Sequence, residues 1–511
     1  MRKGYLKLLA FILLAAFLVV PFEAQAVEGT LGYEGGISSE NKLKKDEYQY
    51  SEMCFLTGKP ILLTGTLTIK KTDKNGVVNA TYTYRLENPE YNATMNRVLM
   101  YTTTRETKIN GQVTEKTQLS RTPTEVVNIG GTSYRLTDSS FTRSMLTDPK
   151  PAMNYHSGEF TETKTYSIGT ASPTSSSNVT VTLSGRLYAY EQYWSTTQTQ
   201  KINVLVQTEL RDTNNSAQWG GSAEIIISSA TRRLIRYAEN EPTLISFDGG
   251  YVQKQWTEST MDYTARFPEF DKSGKPTDII KTYTDTQSLA TAPEYTRLMV
   301  PDIKHLNGYW AEEPIRILFG LEIIPGTGSS FNVGKNITRR EFVAMLMRAL
   351  KDIPQDPNVK TAAVPVRRKT SKTPEVSPFK DVQPTDLYYD EIKEAYKRGI
   401  IKGDGTANFN PNTLITHADA VKMIVLALGL ENLAPYPNTT TPFTDNDSIP
   451  AYARNAVTVA NALGLVEPDE AGRFNPNDKI SNERIANMLY SLVNYMGEEM
   501  ILDYRDRMMS F

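Results

Sequence analysis

The stretch FNVGKNITRREF, Phe331 to Phe342, sets two arginines, Arg339 and Arg340, directly behind a threonine placed to start a helix. A cation in a first helical turn opposes the helix dipole at a cost of a few tenths to ~1 kcal/mol, so helix stability explains neither. A guanidinium beside free helix N-terminal amides can instead meet a carboxylate or phosphate through paired, charge-assisted hydrogen bonds. The flanking residues have simpler reasons. Thr338 and Glu341 have the spacing of a capping box, and Ile337 and Phe342 are placed to form the hydrophobic staple around it.

Elsewhere the sequence is poor in reactive constellations. Residues 27 to 300 contain no GxSxG elbow, phosphate loop or metal-ligand spacing, and the three histidines, His156, His305 and His417, stand apart. No metal and no cofactor is expected. Glu159, Glu162, Glu209, Glu258 and Asp262 leave two readings open: a carboxylate pair for glycoside hydrolysis, or solvated strand faces. If the region is adhesive instead, Tyr188, Tyr190, Tyr193 and Trp194 are the candidates for an exposed aromatic strip.

The elements that must position these groups fall into two textures. The chain has 511 residues, 39% hydrophobic and 22% charged, which is ordinary for about two to four globular domains. Its formal charge of -2 gives no global field for nucleic acid. Arg2, Lys3 and Lys7, the apolar run Leu8 to Val20 and Ala24-Gln25-Ala26 read as a secretory signal peptide over 1–26, the run falling short of the ~20 residues of a span. Cys54 is the one cysteine, so no disulfide framework is expected in the exported chain. Residues 27–298 alternate Thr, Ser and Tyr with apolar residues, as half-buried antiparallel strands do, with hairpin turns expected at Asn75-Gly76 and Asn110-Gly111. From 299 onward the spacing is helical, interrupted by a Pro-rich basic linker, 354–378, whose Arg367, Arg368 and Lys369 read as solvated charge.

The helical part repeats. FNVGKNITRREFVAML, FNPNTLITHADAVKMI and FNPNDKISNERIANML share one register, and Asp302, Asp381 and Asp445 precede the three phenylalanines by 29, 28 and 29 residues. Each copy reads as a helix ending at a glycine (Gly320, Gly399, Gly464), a loop, a Phe-Asn turn and a second helix. The copies span 299–353, 379–434 and 435–496, with a tail at 497–511. Thr338, Glu341, Thr416, Asp419 and Ser481 are the expected helix caps.

WAEEPI at Trp310 to Ile315, ITRREF at Ile337 to Phe342, FKDV at Phe379 to Val382 and GIIKGDG at Gly399 to Gly405 resemble the S-layer homology family. The resemblance covers about 301–496 and leaves the N-terminal region unassigned. It implies that the three copies fold as one unit, which the helical spacing makes all-α, behind a region that the alternation reads as all-β and mainly antiparallel. It also implies attachment of the exported chain to a Gram-positive-type cell wall by an acidic, often pyruvylated, secondary wall polysaccharide, with other surface-layer proteins as further partners; the lack of catalytic motifs over 27–300 reads as a non-enzymatic structural or binding module. The alternative is a similarly anchored hydrolase using a carboxylate pair in the β region. Arg339 aligns with the arginine of the family motif and is the first binding candidate; Arg340 is a second contact or a surface charge. The equivalent positions hold His417 and Asn482, and Arg484 is an alternative source of charge in the third copy. Trp310, Tyr388 and Tyr389 read as sugar platforms or core, and Gly403 and Gly405 as tight-loop residues or points of close sugar approach.

Overall fold

The computed structural model describes residues 35–40, 46–169, 177–212, 215–239, 250–272, 274–353, 359–361, 376–434 and 440–502. The leader and the Arg367, Arg368 and Lys369 cluster lie outside the described residues. Among the described residues no helix is long and apolar enough to cross a membrane.

Among the described residues sixteen strands form one sheet, running from Gly36–Glu40 to Pro276–Ala290 largely in chain order, with antiparallel neighbours as the alternation predicts. The exception falls in the expected linker, where Val359–Thr361 pairs in parallel with Ile61–Lys74. Asn75 and Gly76, both at positive φ, make the two-residue hairpin between Ile61–Lys74 and Val77–Asn88. At Asn110-Gly111 only the glycine has positive φ, because the Asn110 side chain accepts from the Gln112 amide and opens the turn into a longer loop. The sheet coils round its own core. Tight coiling needs inward positions without a side chain: a Cβ on Gly185 would lie 2.2 Å from the Phe160 ring, and one on Gly221 2.0 Å from Phe267. The two ends of the sheet then approach, and Ser259 Oγ donates to the Ser38 carbonyl at 3.3 Å.

Inside this sheet Arg97 is clamped by Glu52 at 2.9 Å and Glu125 at 2.7 Å, with Lys164 3.3 Å from Glu125 and 3.6 Å from Glu162. Burial alone would raise the Glu125 pKa, but Arg97 and Lys164 outweigh it and bring it down to about 2. Cys54 beside them is free and buried, its thiol pushed up to about 12 chiefly by desolvation.

Among the described residues the C-terminal part holds six α-helices: α1 (Glu312–Gly320), α2 (Arg339–Leu350), α3 (Tyr389–Lys397), α4 (His417–Leu428), α5 (Ala451–Ala462) and α6 (Asn482–Asn494). "All-α" overstates it. Loops and 3-10 turns separate the helices, and backbone bridges Asn336↔Ser481, Thr338↔Leu414 and Thr416↔Lys479 join the copies in a ring where α2, α4 and α6 begin. Gly399 and Gly464 close their helices at positive φ, as expected. Gly320 does not. It lies inside α1, where a Cβ would come 2.8 Å from Leu298 Cβ, so it serves close packing rather than a left-handed cap. The helical run does not stop at the expected boundary after 496: Tyr495–Glu499 form a π-turn that crosses it, with Met500 and Ile501 buried behind it.

Beside the sheet's own core lies a second one, which the helices share with part of the sheet. Tyr190 and Trp194, two of the four residues of the expected aromatic strip, are buried among the helices. Trp194 Nε1–H donates to the Ala349 carbonyl at 2.8 Å, at the end of α2. Gln192 and Ser195 both donate to the Met496 carbonyl at 2.6 Å, just past α6. The Ala152 amide donates to the Ala427 carbonyl at 3.0 Å, at the end of α4. Two hairpin tips of the sheet thus satisfy last-turn carbonyls of α2 and α4, groups a helix cannot satisfy itself, and reach a third carbonyl in the helical turn that continues α6. Arg233 braces one tip, donating to the Tyr193 carbonyl while its amide bonds the Trp194 carbonyl at 2.8 Å.

Trp194→Ala should remove the bond and a fully buried ring at a cost of about 3–5 kcal/mol. Sheet and helices should unfold together in urea, with tryptophan fluorescence and far-UV circular dichroism giving one midpoint. Two separated transitions would contradict a shared core.

Candidate functional site

The ring where α2, α4 and α6 begin is built by one local rule. In the second copy the Asp381 carboxylate accepts from the Phe409 amide at 2.8 Å and the Asn410 amide at 2.7 Å. In the third, Asp445 holds Phe474 and Asn475 in the same way, at 2.8 Å each. Asn410 and Asn475 sit at positive φ, which asparagine tolerates. The first copy departs, since Asp302 accepts from the Lys304 amide instead, at 3.1 Å.

Each loop so fixed lies across the first turn of the preceding copy's helix. The Arg339 amide donates to the Thr413 carbonyl at 2.9 Å and the Arg340 amide to Pro411 at 3.2 Å. The His417 and Ala418 amides reach Asp478 and Pro476, and the Asn482 amide reaches Lys335. The expected free amides beside Arg339 are therefore occupied.

The side chains explain the arginines. Arg339 Nε donates to the Phe409 carbonyl at 3.2 Å, with the guanidinium 5.1 Å from that ring's centroid and 3.8 Å from Asp419. Arg340 pairs with Asp386 at 3.2 Å. Both tie the first copy to the second, and Arg339 remains 18% exposed. Its equivalents do the same work with other chemistry. His417 Nδ1 bonds the Phe474 carbonyl at 2.8 Å and stacks on that ring, centroids 4.2 Å apart; Asn482 Nδ2 donates to the Asn332 carbonyl at 2.6 Å. What the three residue types share is a donor aimed at the next Phe-Asn turn.

At Arg339 the donor is itself charged and joins a partly open cluster, while at His417 the nearby charges are the exposed pair Arg484 and Asp478. Tyr452 from the third copy donates to Asp419 at 2.8 Å, so Arg339, Asp419 and Tyr452 bring all three copies to one point. Burial first, then Asp419, push the Tyr452 pKa up to about 12. The sequence contains the signal for Tyr452: it precedes Leu465 by the 13 residues that separate Trp310 from Ile323. Of the remaining candidates, Trp310 is exposed while Tyr388 and Tyr389 are core. Arg484 is exposed near Asp478 at 3.5 Å. Gly405 turns at positive φ, and Gly403 packs where a Cβ would lie 3.2 Å from the Asn408 carbonyl.

The caps divide. Thr338 and Glu341 form the full capping box. Thr416 accepts from the Asp419 amide at 3.2 Å, but the Asp419 carboxylate turns to Tyr452. Ser481 makes no side-chain cap; its backbone is drawn into the bridge with Asn336. Of the carboxylates considered for hydrolysis, Glu159 and Glu162 point to opposite faces of one strand, the second into the buried ion network; Glu209 pairs with Arg211.

Residues 302–343, 378–421 and 442–481 each match the S-layer homology domain, and the chain carries three such domains. It is 32% identical over 192 residues to an amylopullulanase of Thermoanaerobacterium thermosulfurigenes, a match covering 37% of this chain and 9% of that protein. It is 27% identical over 269 residues to exoglucanase XynX of Acetivibrio thermocellus, covering 48% and 23%. It is also 27% identical over 202 residues to a surface-layer 125 kDa protein of Lysinibacillus sphaericus, covering 39% and 15%. The chain thus spans less than a quarter of each of these relatives. The domain and the surface-layer relatives support a cell-surface or cell-wall location.

Thr338→Ala should cost about 1 kcal/mol, whereas Ser481→Ala should be nearly neutral, because only the first removes a cap; paired melting curves decide. Burial lowers the His417 pKa below its ordinary value of about 6.5, so the folded protein holds it neutral. Its contribution is intact above that value. It is lost as pH falls through the depressed folded pKa, because the unfolded chain takes up the proton first. His417→Gln, which keeps a donor, should flatten the fall in melting temperature between about pH 7 and 5.

Proposed function

We propose that the protein is held non-covalently at the cell wall by an acidic secondary polysaccharide, pyruvylated in the form that fits best, with the β region as a structural or binding module it displays. The observation that carries this reading is the cluster of Arg339, Asp419 and Tyr452 at the first inter-copy junction. Arg339 spends its Nε on Phe409 and meets Asp419 only at 3.8 Å, which leaves its terminal nitrogens for a stronger acceptor. A carboxylate on a sugar is such an acceptor, through charge-assisted bonds. Tyr452 would supply an adjoining ring, with Arg484, His417 and Asn482 marking the less charged junctions. Other surface-layer proteins are further candidate partners. The alternative, an anchored hydrolase, requires two carboxylates ~5–10 Å apart in a cleft, and the opposed faces of Glu159 and Glu162 do not favour it.

The test uses the full mature chain, since the halves share a core. Arg339→Ala should weaken binding to purified wall polymer roughly ten- to a hundredfold, the loss of one charge-assisted pair. Arg340→Ala, which breaks only the Asp386 link, should bind as wild type. Acid extraction of the polymer from isolated walls should abolish retention. Undiminished binding by Arg339→Ala would reject this junction as the site.

A further inference from the structure

A cleft of about 720 Å³ lies between the sheet and α1, away from the Arg339 cluster. One wall is Tyr237 and Tyr251, cross-strand partners with rings 5.3 Å apart and nearly perpendicular. The other is the turn before α1, with Tyr309 and Trp310 at 5.9 Å. Tyr237 is 58% and Trp310 60% exposed, so two aromatic faces stand in water within one concavity. Aromatics normally bury their faces, and such a pair in a cleft of this size is a ligand-site signature.

The charges narrow the ligand. Arg316 is answered by Glu312 at 2.8 Å. That leaves Arg297 and Glu313 on the walls, one cation and one anion. Arg297 lies against Gly250, about 4.0 Å from where a Cβ would be. The balance is neutral, unlike the Arg339 junction. Flat aromatic faces suit the apolar faces of sugar rings, while a guanidinium donor and a carboxylate acceptor suit hydroxyls. An acidic polymer would gain no net attraction here, and an apolar peptide would have to desolvate both charges.

We propose that this cleft binds a neutral glycan chain, stacked on Trp310 and Tyr237, so that the β region and the first repeat together form a second sugar-binding surface. It stands independently of the reading of Arg339. The probes are hexamers of β-1,4-linked N-acetylglucosamine and of β-1,4-linked glucose, titrated into the full mature chain and followed by calorimetry and tryptophan fluorescence. At least one should bind and shift the fluorescence, the preferred hexamer telling amino-sugar from plain hexose chains. Trp310→Ala and Tyr237→Ala should each weaken binding tenfold or more with unchanged unfolding midpoints, and Arg339→Ala should leave it intact. The proposal is overturned if neither hexamer binds at about 10 mM, the weak end of specific affinity, or if both aromatic variants bind as wild type. It is equally overturned if the cleft variants lose only the acidic polymer.

Discussion

The last-turn carbonyls of α2 and α4 have no partner within their own helices, and together with the Met496 carbonyl in the turn that continues α6 they are the points at which helices and sheet join. The donors come from the sheet: the Trp194 indole to Ala349, the Ala152 amide to Ala427, and Gln192 with Ser195 to Met496. Because Tyr190 and Trp194 are buried with the helices, the sheet supplies both the hydrogen bonds and part of the apolar volume. Leaving such carbonyls buried and unpaired would cost about 1–3 kcal/mol each, so the tips are structural members of the helical unit.

At the opposite ends of the same helices the copies solve the complementary problem for themselves. Carbonyls of the next copy's loop take the first-turn amides, and a side-chain donor from the helix start returns a bond to the Phe-Asn turn. Arginine, histidine and asparagine all meet that geometric requirement, which explains how the position varies while the ring persists. Only arginine retains charge to spare once the bond is made, and this sets the first junction apart.

The repeat was legible because its rule is local in register: the Asp381-to-Phe409 spacing is the reach of a carboxylate to two backbone amides, repeated at Asp445 and Phe474. The Thr338 box was legible for the same reason, as partners three residues apart. Trp194 was not, since its acceptor is 155 residues away and an alternating Tyr-rich strand looks alike whether wet or buried. Gly320 ends α1 where the sequence places the stop, but its role was not legible, because a glycine that closes a helix at positive φ and one that lets Leu298 approach have the same local sequence. Ser481 shows the limit of capping patterns, as a residue type fit for the cap was claimed by a backbone bridge. At Arg339 the sequence signalled an unusual charge, but neither its bond to Phe409 nor its company of Asp419 and Tyr452 was visible without the ring.

The interlock also decides how the molecule carries tension. A protein whose two parts met only through a single connecting strand would pass any pull between them along one stretch of backbone, to be peeled open bond by bond. Here the pull is divided among three helices, α2 and α4 gripped at their far ends and α6 at the turn that continues it, and Arg236 with Glu498 at 2.8 Å adds a further fastening. Separation would have to break these contacts at once and draw the Trp194 ring out of the core, the geometry of a riveted joint under shear.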